Sequence, residues 1–121
     1  MKYKVAFLFT SPPYGSSRSR EGIDALLAMS NYVAEEEILI VFMHDGVFNL
    51  LANQQARSLL QKDHTKTFKL IDLYELNHCY LAQESIIERG LTKANWLINA
   101  QISPITELFS MLSQAEKILK F

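Results

Sequence analysis

Apolar runs alternate with amphipathic segments along the chain. Val5–Phe9 is a continuous apolar run, and a second run, residues 38–43, is apolar at every position. Strands that are covered on both faces of a parallel sheet have this unbroken apolar character. Between the two runs, Ile23, Leu26 and Val33 recur at helical spacing. The pattern predicts a strand, a helix and a second strand, which together form a βαβ unit.

The predicted first helix spans residues 20–34. Ser19 stands where its hydroxyl would cap the helix, and Glu21 lies in the first turn, where a negative charge complements the helix dipole. The preceding residues 11–17 (SPPYGSS) are rich in turn-forming residues and predict a loop after the first strand.

The middle of the chain has weaker patterns. Residues 47–60, which include the apolar Ala56, Leu59 and Leu60, are interpreted as irregular or helical. Residues 68–74 predict a short helix, and residues 79–81 predict a third strand. Residues 85–89 then form a predicted helix that Gly90 ends.

The last third of the chain predicts two more strands around one helix. Residues 96–98 (WLI) are interpreted as the fourth strand, and residues 118–121 as the fifth. Between them, Ser103 and Pro104 are typical of a helix start, with a hydroxyl cap and proline at the first helical position. The alternation predicts a three-layer α/β/α fold with a mainly parallel five-stranded sheet, as a single α/β domain over residues 1–121.

Composition and charge narrow the function. The chain is 49% hydrophobic and 21% charged, which favours an apolar surface buried against partners. Lysine and arginine number 12 against 13 aspartate and glutamate, so no basic patch for direct nucleic-acid binding is expected. We find neither a secretory signal nor an apolar run that could span a bilayer, so we expect a cytoplasmic protein without membrane attachment.

Three predicted loops should share one edge of the sheet, because ligands of open parallel sheets bind at the carboxyl ends of the strands. These loops are residues 11–17, 44–46 and 82–85. The first loop lacks the glycine patterns of phosphate-binding loops. We favour a solvated loop there; the alternative is a flavodoxin-like module that holds a small anion with the loop hydroxyls, Arg18 and Arg20.

The second of these loops, His44-Asp45-Gly46, has two interpretations. It could place a polar pair at the ligand edge, but Asp-Gly after a strand is also a common turn signal, which we favour. His44, His64 and His78 lie in separate segments without metal-ligand spacing. No metal and no cofactor are predicted.

Cys79 is the only cysteine, so an internal disulfide is excluded. A reactive thiolate needs exposure and a nearby cation or helix N-terminus, whereas Cys79 begins an apolar strand. Neighbouring strand residues point to opposite faces, so His78 is not directed at the sulfur. We favour a buried, inert cysteine and keep a functional thiol as the alternative.

Six short motifs occur along the chain in a recognisable order. They are residues 7–10 (FLFT), 20–28 (REGIDALLA), 45–51 (DGVFNLL), 67–74, 85–91 and 118–121 (ILKF). This series resembles the TusC subunits of the DsrE/DsrF-like family, which are relatives of DsrF. The resemblance covers essentially the whole chain.

The resemblance implies a subunit of a sulfur relay. Such a chain would assemble with related TusB-like and TusD-like subunits into a heterohexamer with two copies of each. The complex would exchange persulfide sulfur with sulfur-carrier proteins for 2-thiolation of the wobble uridine in tRNA, and this chain would not bind nucleic acid directly.

The resemblance also bears on the sulfur site. In the TusD-like sibling, the carrier cysteine stands at a strand end, just before a short helix closed by glycine. Matching on Gly90 brings Ala82 to that position, and Cys79 lies three residues earlier. The expected role is therefore non-catalytic, within a sulfurtransferase complex, and the alternative is a persulfide carrier that uses Cys79.

Overall fold

A five-stranded parallel sheet forms the centre of the computed structural model, which describes residues 3–52 and 65–121. Its strands are β1 (Val5–Phe9), β2 (Ile38–Phe42), β3 (Cys79–Ala82), β4 (Gln101–Ser103) and β5 (Ile118–Lys120). They lie in the order β4-β3-β2-β1-β5, and every neighbouring pair in this sheet is parallel. The predicted sheet is confirmed.

Helices cover both faces of the sheet. The α-helices are α1 (Arg18–Met29), α2 (Leu70–Leu73), α3 (Gln83–Glu88) and α4 (Ile105–Leu112), and 3₁₀ helices span Glu35–Glu37, His44–Leu50 and Thr65–Lys69. Side chains of α1, α2, α3 and the 3₁₀ helix at His44–Leu50 join the core on one face. Helix α4 packs on the other face through Leu108 and Leu112. The predicted three-layer α/β/α fold is confirmed.

An aromatic cluster fills the core between β1 and α1. The ring of Phe9 lies 4.8 Å from that of Phe42, 5.5 Å from Phe68 and 5.8 Å from Phe121, measured between centroids. Aromatic pairs at such distances add to the stabilisation that burial provides. All five residues of β2 are buried, which explains why its apolar run is unbroken.

The first helix begins and ends earlier than its sequence predicts. Helix α1 spans Arg18–Met29, with Ser17 at the N-cap position, so the predicted range of residues 20–34 is corrected. Ser19 lies inside the helix and is not its cap. Its buried hydroxyl donates instead to the carbonyl oxygens of Ser11 and Pro12, at 2.8 and 3.1 Å. The helix begins one residue before Ser19, so this hydroxyl bonds to the loop that precedes the helix.

The predicted fourth strand at residues 96–98 is wrong. Trp96 forms only an isolated antiparallel bridge with Leu51, and β4 lies a few residues later at Gln101–Ser103. The apolar run reflects burial of Ile98 in the core, not membership of the sheet. β4 is a half-exposed edge strand, and such strands carry no continuous apolar signal.

The start of α4 also differs from the prediction. Pro104 occupies the N-cap position and not the first helical position, while Ser103 ends β4 and makes no capping bond. A carboxylate from another helix caps α4 instead, since Oε1 of Glu84 accepts the Ile105 N–H at 2.8 Å.

The other helices and strands predicted from the sequence lie close to their observed positions. The short helix predicted over residues 68–74 corresponds to the 3₁₀ helix at Thr65–Lys69 followed by α2. Gly90 adopts a φ of 66°, as a glycine that ends a helix does. In the segment predicted as irregular or helical, residues 47–50 belong to the 3₁₀ helix at His44–Leu50, whereas Ala56, Leu59 and Leu60 lie outside the described residues.

Gly22 of α1 permits close packing of the helix against the aromatic cluster. A Cβ at this position would lie 2.5 Å from Cε1 of Phe9 and 2.8 Å from Cγ of Phe121. We therefore expect Gly22→Ala to lower the free energy of unfolding by about 1–3 kcal/mol, because buried rings must shift.

Urea denaturation measures this loss. Asp24→Ala, at an exposed position of the same helix, is the matched control and should change stability by no more than about 0.5 kcal/mol. Equal stability of Gly22→Ala and the wild-type chain would contradict the tight packing.

Candidate functional site

The three loops predicted to share one edge of the sheet do meet there. The backbone N–H of His44 donates to Oγ of Ser85 at 2.7 Å, which joins the second loop to the third. Nδ2 of Asn49 donates to the carbonyl oxygens of Ser11 and Gly46, both at 2.9 Å, which joins the first loop to the second. Ser85 and Asn49 are buried, so these bonds form a rigid base beneath the edge.

A close backbone approach also shapes this edge. The N–H of Met43 donates to the carbonyl oxygen of Phe9 at 3.0 Å, and Gly46 packs directly over that carbonyl. A Cβ on Gly46 would collide with the carbonyl oxygen, so only glycine fits here. The start of the 3₁₀ helix is thereby held against the end of β1.

His44 and Asp45 do not form a shared polar pair. His44 is exposed and has a φ of 55°, while the Asp45 carboxylate forms a salt bridge of 3.0 Å with Nε of Arg89. Arg89 also donates to the carbonyl oxygen of Ser85 at 3.2 Å. The segment acts as a turn that is anchored to α3, which is the interpretation that the sequence favoured.

The first loop uses its polar groups internally. Oγ of Ser17 donates to Glu21 at 3.2 Å, and Oγ of Ser16 lies 3.4 Å from the N–H of Arg18. Arg18 and Arg20, the cations of the small-anion hypothesis, are exposed, and that hypothesis stays a prediction.

Cys79 lies inside the sheet and is only 2% exposed. Burial, and to a smaller extent the Asp72 carboxylate, raise the pKa of its thiol well above the ordinary value. The ring of His78 packs edge-on against Tyr3, with centroids 5.6 Å apart. A thiol in this environment stays protonated and inaccessible, which makes it a poor nucleophile.

Ala82 is the last residue of β3 and the one that precedes α3. It is fully buried, in an apolar cluster that includes Leu108 of α4. The hydrogen bond between Glu84 and the Ile105 amide lies directly beyond it along the chain. The strand end is therefore closed by packing on the α4 side.

Several residues of this edge were not predicted from the sequence. Asn49, Glu84 and Arg89 each have a hydrogen-bond partner that lies 21 to 44 positions away in the sequence. Only the parallel topology brings these partners together. Within residues 3–52 and 65–121, no cluster of three or more His, Cys, Asp or Glu side chains could hold a metal; His64 lies outside the described residues.

Comparison with known proteins places the chain in a family. The model of the DsrE/DsrF-like family matches residues 3–121. The chain belongs to the DsrE/DsrF-like family. The resemblance of its motifs to TusC subunits is confirmed by the relatives described next.

TusC proteins are similar to the chain over nearly their full length. A TusC homolog of Vibrio vulnificus is 42% identical over 118 residues, covering 98% of both chains. The TusC protein of Klebsiella pneumoniae is 41% identical over 119 residues, again covering 98% of each. The crystal structure of the YchN protein from E. coli, only 17% identical, shares the fold with a TM-score of 0.82 and full coverage of both chains.

A helix long and apolar enough to cross a membrane does not occur among residues 3–52 and 65–121.

Ionisation of the Cys79 thiol is expected to lower stability at alkaline pH. Its pKa is raised in the folded chain, whereas unfolding restores an ordinary value of about 8.5. Burial of the neutral thiol therefore makes its full contribution to the free energy of unfolding at pH values below about 8.5. This contribution is lost as the pH rises above that value, because only the unfolded chain releases the thiol proton. The loss should approach about 1.4 kcal/mol per pH unit.

Urea denaturation at several pH values between about 7 and 10 tests this effect. Cys79→Ala is the reference, because it retains a small apolar side chain without an ionisable proton. The wild-type chain should lose more stability than the variant at the alkaline end. Parallel curves for the two chains would contradict burial of the thiol as the cause.

Proposed function

We propose that the chain is a non-catalytic subunit of a heteromeric sulfur-relay complex. Membership of the DsrE/DsrF-like family and similarity to TusC proteins support a sulfur-relay role. The proposal that the subunit is non-catalytic depends on Cys79, the only cysteine in the sequence. Its thiol is buried, and its pKa is raised.

The position of Ala82 supports the same assignment. We propose that the residue at the end of β3, directly before the helix that Gly90 closes, corresponds to the carrier cysteine of a TusD-like sibling. Here that residue is alanine, and its side chain is fully buried. A methyl group cannot form a persulfide, so sulfur would pass through the sibling while this chain helps to hold the assembly together.

Exposed apolar side chains are consistent with assembly. Ile87, Ile102 and Phe109 are more than half exposed, at 57%, 51% and 53%. We propose TusB-like and TusD-like subunits as the partners, with two copies of each chain in a cytoplasmic heterohexamer. The supported reaction would be 2-thiolation of the wobble uridine in tRNA, with sulfur reaching the RNA through carrier proteins and not through this chain. The net charge of −1 favours such an indirect role.

Reconstitution with the siblings tests the proposal. The chain is co-expressed with the TusB-like and TusD-like proteins of its own organism, native mass spectrometry gives the composition, and transfer of labelled sulfur to a carrier protein gives the activity. We expect omission of this chain to abolish assembly or transfer. Full sulfur transfer by the two siblings alone would contradict the proposal that this chain is a required subunit.

A cysteine variant separates the assembly role from the carrier role. We expect the complex with Cys79→Ala to assemble and to transfer sulfur at the wild-type rate, because the thiol is inaccessible. The matched control replaces the sibling's carrier cysteine by alanine and should abolish transfer. A persulfide found by mass spectrometry on Cys79 during turnover, together with loss of transfer in Cys79→Ala, would establish the alternative of a carrier subunit.

A further inference from the structure

One carboxylate bridges the two helices that follow β3 and β4. Oε1 of Glu84, in the first turn of α3, accepts the backbone N–H of Ile105, the first residue of α4, at 2.8 Å. Pro104 at the N-cap offers no side-chain oxygen of its own. A carboxylate that bonds a first-turn amide gains from both the ionic hydrogen bond and the helix dipole. Glu84 therefore supplies from α3 the cap that α4 lacks.

The capped end of α4 lies against residue 82. Ser103, the last residue of β4, pairs with Ala82 in the sheet, and Ile105 follows two positions later. Ala82 is fully buried, in one apolar cluster with Leu108, and Ile105 packs against that cluster. The first turn of α4 thus covers the end of β3, and the bond from Glu84 fixes this turn in place.

We infer that Glu84 is a positioning residue that keeps α4 closed over residue 82. As a consequence, the end of β3 is buried in apolar side chains and lies next to the Glu84 carboxylate. This environment disfavours a thiolate or persulfide anion, because burial and a nearby negative charge both oppose ionisation of sulfur. The link to sulfur handling rests on the proposed function, because that function equates residue 82 with the carrier position of a sibling. The closure of α4 over residue 82 does not depend on the proposed function.

A thiol introduced by Ala82→Cys reports on this closure. The full-length chain is treated with iodoacetamide, and peptide fragmentation separates labelling at residue 82 from labelling at Cys79. We expect slow labelling at residue 82 in the folded chain and rapid labelling in guanidinium chloride. Labelling of the folded chain at the rate of the unfolded chain would overturn the inference.

Removal of the carboxylate should open the site. Adding Glu84→Ala to Ala82→Cys should raise the labelling rate about tenfold, which corresponds to about 1.4 kcal/mol. Glu84→Gln, which keeps an acceptor oxygen without the charge, should give an intermediate rate. Glu88→Ala is the matched control, because Glu88 lies on the same helix, has a side chain 70% exposed and contacts Arg89, not α4. Equal rates for the Glu84 and Glu88 variants would overturn the inference.

Amide hydrogen exchange provides a second measurement, which does not require the added sulfur to be accommodated. In the single variant Glu84→Ala, the amides of residues 105–108 should exchange faster than in the wild-type chain or in Glu88→Ala. Unchanged exchange would contradict the role of Glu84. Neither measurement involves the sibling subunits, so failure here leaves the reconstitution result intact, and failure of reconstitution leaves the closure of α4 intact.

Discussion

The packing around Phe9, at the carboxyl end of β1, is the constraint on which the rest of the structure depends. Its ring contacts the rings of Phe42, Phe68 and Phe121, and its Cε1 would lie 2.5 Å from a Cβ on Gly22. Its carbonyl oxygen accepts the N–H of Met43.

One residue therefore unites the helix layer, the sheet and the loop edge. The close approach of Gly46 to the same carbonyl places the 3₁₀ helix at His44–Leu50. That helix carries Asn49, whose amide group holds the first loop through Ser11. The geometry of the candidate site follows from this packing of the core.

The sequence was informative where burial on both sides produced long apolar runs. β1 and β2 could be predicted because every buried position of a central parallel strand is apolar. The same logic failed at residues 96–98, since an apolar run also occurs where Ile98 is buried outside the sheet. β4 escaped prediction because two of its three residues, Gln101 and Ile102, are exposed.

The candidate site was predictable only in outline. The shared loop edge follows from parallel topology, and the buried state of Cys79 follows from its place in an apolar run. Local pattern predicts Ser19 and Ser103 as the N-caps of α1 and α4, because a serine hydroxyl near a helix start commonly bonds to that helix. The structure places neither residue at an N-cap position. Ser19 bonds to the loop before its helix, and the amide at the start of α4 is taken by Glu84. Such contacts depend on tertiary structure, which local pattern does not encode.

The position of β1 in the sheet has a consequence for synthesis of the protein. β1 lies between β2 and β5, and Ala6 pairs with Ile118, more than a hundred residues later. During synthesis, one edge of this apolar strand stays unpaired until β5 has been made. Contacts between residues so far apart in the sequence slow folding, and hydrophobic strand edges stay exposed until these contacts form. Until β5 is added, the open edge of β1 can pair with strands other than its native neighbour.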